Sequence, residues 1–158
     1  MKKNKHIIIL LTLLIVLVAI IIILFINIKN KQTFHKPPFD KNAITEMPNE
    51  LDYKDSIIEI SKGYSLYIDG IPTIKNNELI INLIALKENN VWIKIRVLNE
   101  QEKIVAESGL VRPGEYLKSI KIINKISKND KLTYMIMGYE IDTYLSAGNV
   151  SLNTKAGG

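Results

Sequence analysis

The chain opens with a long, almost wholly apolar run, and only later shows short stretches in which apolar and polar residues alternate. Within residues 7–26, 18 of 20 positions are Ile, Leu, Val or Phe. Twenty helical residues rise about 30 Å, which matches the hydrocarbon core of a bilayer. A buried core helix is a poor alternative because no face of the run is polar. The run therefore predicts one transmembrane helix.

The residues around this run predict how the helix is inserted. Residues 1–6 form a short basic head, and no small-residue cleavage site follows Ile26. The run is therefore predicted to be an uncleaved signal-anchor rather than a signal peptide. Lysines also follow the helix, but the short head and the whole domain after it favour a cytoplasmic N-terminus and an extracellular C-terminal domain.

Residues 27–56 are polar and contain Pro37-Pro38 and Pro48. Consecutive prolines favour an extended conformation and offer no N–H to a sheet. About thirty residues of this kind would reach about 30 Å if they behaved as a coil. This segment is predicted to be an extended linker that lifts the following domain off the membrane.

From residue 57 to residue 155 the chain consists of short β-type runs separated by turn residues. Breaks recur every dozen residues or so, which favours an antiparallel β-sandwich over βαβ units. The predicted strands are Tyr64–Ile68, Leu79–Leu86, Val91–Leu98, Ile104–Val111, Leu117–Ile123, Leu132–Met137 and Asn149–Asn153.

The clearest alternation is the run VWIKIRVL. It places Val91, Ile93, Ile95 and Val97 on the face predicted to be buried, and Trp92, Lys94, Arg96 and Leu98 on the other. The run Leu79–Leu86 is apolar on nearly both faces, as a central strand would be. Pro113-Gly114 suits the centre of a type II turn, because glycine accepts the positive φ there.

Three stretches of this region stand out: Asn89-Asn90-Val91-Trp92, the run from Ala106 to Tyr116, and Ile120-Lys121-Ile122. Together they resemble a group of small Gram-positive proteins. Proteins of that group have an N-terminal membrane anchor, a polar linker and an Ig-like β-sandwich outside the cell. The resemblance covers roughly residues 63–152 and implies the same all-β, Ig-like antiparallel β-sandwich here. This chain departs from the group at Lys128-Asn129-Asp130, where a turn with glycine is usual, and the group has no established catalytic residues.

Charge and composition exclude several classes of function. Residues 1–41 carry seven Lys and one Asp, a net +6, whereas residues 42–158 carry fourteen Lys or Arg and fifteen Asp or Glu, a net −1. The domain therefore lacks the basic face that nucleic-acid binding requires. The chain has no Cys, and its two His, His6 and His35, precede the domain. This excludes sortase-like and L,D-transpeptidase-like chemistry, and His or Cys metal sites in the domain. Neither catalytic residues nor a metal or cofactor is predicted.

Two groups of residues are candidates for binding a partner. Tyr139, Glu140, Asp142 and Tyr144 crowd one late segment, where rings and carboxylates suit a recognition loop. The alternative is an ordinary loop between the last two strands, with a tyrosine packing back on the sandwich.

Trp92 and Arg96 share the predicted outer face of one strand, and a Trp beside cations is typical of contact surfaces. The alternative is that the linker or a neighbouring strand covers this Trp. Glu107 lies inside a predicted strand without an evident partner.

These features predict a single-pass membrane protein whose extracellular domain is a non-catalytic interaction or accessory module of a cell-surface apparatus. Its expected partners are the lipid bilayer, through residues 7–26, and a cell-surface protein. A module that binds cell-wall polymer or carbohydrate is the first alternative. A component of a secretion or conjugation channel is the second, and a wall hydrolase is least favoured.

Overall fold

The computed structural model describes residues 12–22, 36–48, 57–60 and 63–157. The chain divides into two compact units, Met1–His35 and Lys36–Gly158. The predicted basic head and the linker residues 27–35 and 49–56 lie outside the described residues.

In the first unit, residues 12–22 form an α-helix whose side chains are all exposed. Among the described residues, no helix has both the length and the apolar character needed to cross a membrane. Residues 7–11 and 23–26 of the predicted span lie outside the part of the chain that the structure describes. The transmembrane helix therefore stays a prediction.

The described part of the second unit is a sandwich of two antiparallel sheets, which confirms the all-β prediction. Strands β1, β2, β4 and β3 lie in that order in one sheet, with β7 paired to β4, and the other sheet has the order β6-β5-β8-β9. The strands are β1 Ile58–Ile60, β2 Tyr64–Tyr67, β3 Thr73–Lys75, β4 Glu78–Ala85, β5 Val91–Asn99, β6 Ile104–Glu107, β7 Tyr116–Lys121, β8 Lys131–Glu140 and β9 Ser146–Lys155.

The buried sides of the two sheets form one hydrophobic core. Strand β5 alternates as predicted, because Val91, Ile93, Ile95 and Val97 are all buried. Strand β4 is central, as its two apolar faces predicted, since it pairs with β2 and β3 on one side and with β7 on the other. Seven strands therefore appear close to their predicted positions, whereas the short strands β1 and β3 were not predicted.

The predicted turn at Pro113-Gly114 is confirmed. Gly114 has a φ of +80°, and the N–H of Glu115 donates to the carbonyl of Arg112 at 3.0 Å. A second turn lies at Lys128-Asn129-Asp130, where Asn129 adopts a left-handed backbone conformation with a φ of +69°. Asparagine tolerates this left-handed conformation, so it takes the place of a turn glycine.

The second unit includes residues 36–48, which precede the predicted start of the domain at residue 57. We call this segment the strap. Its Asp40 N–H donates to the Leu110 carbonyl at 2.9 Å, and the Leu110 N–H donates to the Pro38 carbonyl at 2.8 Å. Ile44 exchanges two backbone hydrogen bonds with Tyr116, of 2.9 and 2.7 Å. The two prolines lack donors, but their neighbours still supply donors and acceptors to the sandwich.

The contact of the strap also shortens a predicted strand. Strand β6 ends at Glu107. Beyond it, the pairing with β5 continues only as an isolated β-bridge. At the interruption, the Ser108 hydroxyl accepts from the Ile95 N–H at 2.9 Å, and the Gly109 N–H donates to Asp40 Oδ2 at 2.8 Å. A Cβ on Gly109 would lie 2.5 Å from the Asp40 nitrogen, so only glycine lets the strap approach this closely.

Candidate functional site

The outer surface of the β6-β5-β8-β9 sheet carries large, half-buried side chains. Because inward and outward positions alternate, Trp92 on β5 faces outward and pairs in register with Tyr139 on β8. The next outward pair is Lys94 with Met137. All four side chains are of intermediate exposure. This side of the sheet therefore offers apolar and aromatic area that the core does not use.

Three rings pack side by side at one end of this surface. The rings of Phe39 and Trp92 are nearly perpendicular, with centroids 4.9 Å apart, and the Tyr144 ring lies 4.7 Å from the Trp92 ring at an interplanar angle of 59°. Phe39 comes from the strap, and Tyr144 comes from the β8–β9 turn, where it has a φ of +60°. We call Phe39, Trp92, Met137, Tyr139 and Tyr144 together the aromatic face.

A cation stands at each end of the row of rings. The Lys36 Nζ lies 4.7 Å from the centre of the Tyr144 ring, and the Arg112 guanidinium carbon lies 3.7 Å from the centre of the Phe39 ring. Such contacts contribute about 0.5–1 kcal/mol each at exposed sites. Arg112 is also held by Glu115, through an ion pair of 3.0 Å. The cations therefore fix the rings in place as well as offering charge at the rim.

The two candidate surfaces from the sequence are one surface in the structure, because Tyr144 contacts Trp92 directly. The prediction that Tyr139 and Glu140 belong to a loop is wrong, since β8 extends through Glu140. This extension follows from pairing with β9, whose register runs to Tyr139 and Ser146. The alternative, in which the linker covers this Trp, also applies in part, because Phe39 of the predicted linker packs against Trp92.

The acidic members of the predicted loop do not join the aromatic face. Glu140 Oε2 accepts the Thr143 hydroxyl at 2.8 Å, which closes the turn locally. Asp142 is exposed at the tip and has a φ of +71°. The predicted site residue Arg96 lies four positions along β5 from Trp92, about 13 Å away at the rise of a strand.

Arg96 is instead part of an ion-pair cluster centred on Glu107. Glu107 Oε1 lies 2.8 Å from Lys94 Nζ and 2.7 Å from Arg96 Nη2. Burial raises the pKa of Glu107, but the two cations outweigh this effect, and the pKa lies below its usual value. The single carboxylate balances one of the two cations, so the cluster presents a net charge of +1 beside the aromatic face.

A second polar cluster, which the sequence analysis missed, lies at a bulge in β4. Asn82 has a φ of +45° at the register shift, and its side chain joins two neighbours. Its Nδ2 donates to Asp69 Oδ2 at 2.7 Å, and its Oδ1 accepts the Tyr116 hydroxyl at 2.6 Å. The Tyr67 hydroxyl donates to Asp69 Oδ1 at 2.9 Å. The one signal in the sequence was a single Asn inside an apolar run.

The environment of this cluster favours neutral tyrosines. Burial, with a hydrogen bond to the nearby carboxylate of Asp69, raises the pKa of Tyr67 to about 12. Burial also raises the pKa of Tyr116. The donors and acceptors satisfy one another, and no described buried side-chain polar atom is without a partner. The cluster therefore stabilises the bulge and presents no free group to a ligand.

Within the described residues, no group of His, Cys, Asp and Glu side chains is arranged to hold a metal ion. No family model matches the chain, and no curated protein sequence matches it. The aromatic face, with its half-buried rings and rim cations, is the feature of the described domain that most resembles a contact surface.

Proposed function

We propose that this chain is a membrane-anchored interaction module, with an Ig-like domain outside the cell that binds a protein partner through the aromatic face. The observation that carries the proposal is the packing of Trp92 against rings from the strap and from the β8–β9 turn. Binding energy in protein interfaces concentrates in such half-buried aromatic anchors with polar rims. The proposal assigns no reaction to the domain.

The apolar run of residues 7–26 supports the anchor, together with the helix over residues 12–22. An N-terminus in the cytoplasm would leave the whole second unit outside the cell. Such a chain suits an accessory role in a cell-surface apparatus, because the anchor keeps the module beside membrane-bound partners.

Strand order supports the Ig-like assignment. The orders β2-β4-β7 and β6-β5-β8-β9 correspond to strands A-B-E and C′-C-F-G of Ig-like sandwiches. One feature differs from antibody domains, in which the Trp on strand C lies in the core. Here Trp92 faces outward, and buried aliphatic residues of β5 take its place inside. A Trp released from the core in this way is free to serve a contact surface.

Site-specific photo-crosslinking in intact cells tests this function. A photoreactive residue at Asn149, which is exposed and pairs with Met137, should capture a defined protein. The same probe at Lys118, exposed on the other sheet, is the matched control and should not. Equal capture at both positions, or none at Asn149, would refute the aromatic face as a protein contact.

Substitution of the two tyrosines gives a second measure. Tyr139→Ala with Tyr144→Ala should reduce capture at Asn149 more than tenfold, equivalent to about 1.4 kcal/mol. The thermal midpoint must stay near that of the wild type. If capture persists while the midpoint falls sharply, the tyrosines serve the fold instead.

Binding of the purified protein to peptidoglycan or teichoic acid, without a crosslinked protein, would replace this proposal by the wall-polymer module. Capture of channel subunits would place it in a secretion or conjugation apparatus.

A further inference from the structure

The β8–β9 turn exposes two large aliphatic side chains. Ile141 is 39% exposed and Leu145 is 62% exposed, and Tyr144 lies between them. Ile44 of the strap, 50% exposed, lies at the same end of the sandwich, because it pairs with the first residue of β7. Four other turns carry polar residues at their tips, namely Asn76-Asn77, Lys87-Glu88, Glu100-Gln101 and Lys128-Asn129. The β2–β3 and β7–β8 connections each expose one isoleucine, Ile71 and Ile123. Ile44, Ile141 and Leu145 thus place three exposed aliphatic side chains at one end of the sandwich, a composition that suits a contact with an apolar partner.

The length of the chain restricts what that occupant can be. Lys36 lies against Tyr144 of this turn, at 4.7 Å from its ring. Lys36 is also only ten residues beyond Ile26, the end of the predicted membrane span. Whatever their conformation, ten residues extend at most about 36 Å. A short tether of this kind gives a local concentration on the order of millimolar, so even a weak contact with the bilayer surface would be populated.

The chemistry of the turn matches the interface of a bilayer. Trp and Tyr side chains favour the boundary between headgroups and acyl chains, where an apolar ring and a polar tip are both solvated. Leu and Ile enter the acyl region, and a Lys reaches the phosphate level. Asp142 lies in the turn and Glu140 directly precedes it, so charge does not draw the turn to anionic lipid. The apolar side chains must supply the attraction.

We propose that the β8–β9 turn, residues 141–145, docks on the outer surface of the membrane that holds the chain, with Ile141 and Leu145 in the interface. This inference rests on the membrane anchor of the proposed function. It adds that one end of the domain faces the lipid. Met137 and strand β9 then face along the membrane surface rather than towards it. A partner on the aromatic face is then reached along the membrane surface.

Trp92 reports this contact because it is the only Trp of the chain and its ring lies 4.7 Å from Tyr144. The full chain is reconstituted in phosphatidylcholine vesicles that contain lipids with a nitroxide at the headgroup or at a shallow acyl position. We expect the nitroxide lipids to quench Trp92 fluorescence by at least half. The quenching should persist at 0.5 M salt and should not increase with the fraction of phosphatidylglycerol.

Matched variants separate the turn from the rest of the surface. Leu145→Ser with Ile141→Ser should reduce the quenching at least threefold. Ile123→Ser is the control, since Ile123 is also 62% exposed but follows β7 at the opposite end of the domain. It should leave the quenching unchanged. Thermal midpoints of the variants must stay near that of the wild type, and Leu145→Ser alone serves if the double variant is unstable.

The possible outcomes distinguish failure of the membrane anchor from failure of the docking of the turn. Failure of the full chain to float with vesicles would refute the anchor, and the docking with it. Flotation without quenching, or equal quenching in the double variant, would refute the docking alone. Quenching that follows the protein-to-lipid ratio would assign the turn to contacts between copies and overturn the proposal.

Discussion

Gly109→Ala should detach the strap from the sandwich without changing any core side chain. The added Cβ would lie 2.5 Å from the Asp40 nitrogen, 2.7 Å from the Asp40 Cα and 2.8 Å from the Phe39 carbonyl carbon. These are backbone atoms, so no side-chain rotation can make room. The strap must therefore move away from residues 109 and 110.

The size of the effect follows from the contacts that such a movement breaks. Two backbone hydrogen bonds contribute about 0.5–1.5 kcal/mol each, and the bond from the Gly109 N–H to the Asp40 carboxylate about 1.5–3 kcal/mol. The edge contact of Phe39 with Trp92 adds about 0.5–1.5 kcal/mol. Freed strap residues regain conformational entropy, which offsets part of this loss. We expect the free energy of unfolding to fall by about 2–4 kcal/mol, or the thermal midpoint by about 10 °C.

Thermal unfolding followed by circular dichroism measures this loss, and Trp92 fluorescence reports whether Phe39 has moved. Gly70→Ala is the matched control, because no atom lies within 4 Å of the Cβ it would add. Its midpoint should equal that of the wild type. If Gly109→Ala melts within about 1 °C of the wild type, and the Trp92 emission is unchanged, the strap does not stabilise the fold through this contact.

Three further substitutions test the core and the ion pairs. Ile95→Ala removes a fully buried side chain of β5 and should cost about 2–5 kcal/mol in urea unfolding; a loss near zero would contradict its inward orientation. Gly138→Ala places a Cβ 2.8 Å from the buried Tyr64 ring and should cost about 1–3 kcal/mol, unless the ring moves aside freely. Glu107→Gln should lower the thermal midpoint at pH 7. Because the folded state lowers the pKa of Glu107, its contribution is complete above the unfolded value of 4.5 and is lost as the pH falls through the folded pKa. The wild type and Glu107→Gln should therefore converge in acid, and a constant difference down to pH 2 would refute the assignment.

Local pattern was enough to predict most of the strands. The alternation in β5 predicted its buried residues, because the side-chain period of a strand is a property of the backbone itself. The turn at Pro113-Gly114 followed from local backbone preferences in the same way. Strands β1 and β3 have only three residues each, too short for a period to show.

The row of rings depends instead on contacts that are remote in the chain. Phe39 and Trp92 are separated by 53 positions, and Trp92 and Tyr144 by 52. Their meeting requires the register of β5 against β8 and the path of the strap, and neither leaves a periodic signal. Pro37-Pro38 favour an extended segment, and such a segment can still pair with a sheet through its carbonyls. Residues 36–48 of the predicted linker therefore form hydrogen bonds with the sandwich.

The strap also determines how the domain would respond to force. Tension that reaches the domain from its N-terminal side acts first on Lys36 and then on the few hydrogen bonds at Leu110 and Tyr116. The long ladders between β5, β8 and β9 carry load only afterwards. Single-molecule pulling between the N-terminus and β9 should therefore show a small early extension before the sandwich ruptures, shorter than the contour length of about 40 Å of thirteen freed residues because the strap already spans part of that distance. A single rupture without that early step would show that the strap and the sandwich yield together.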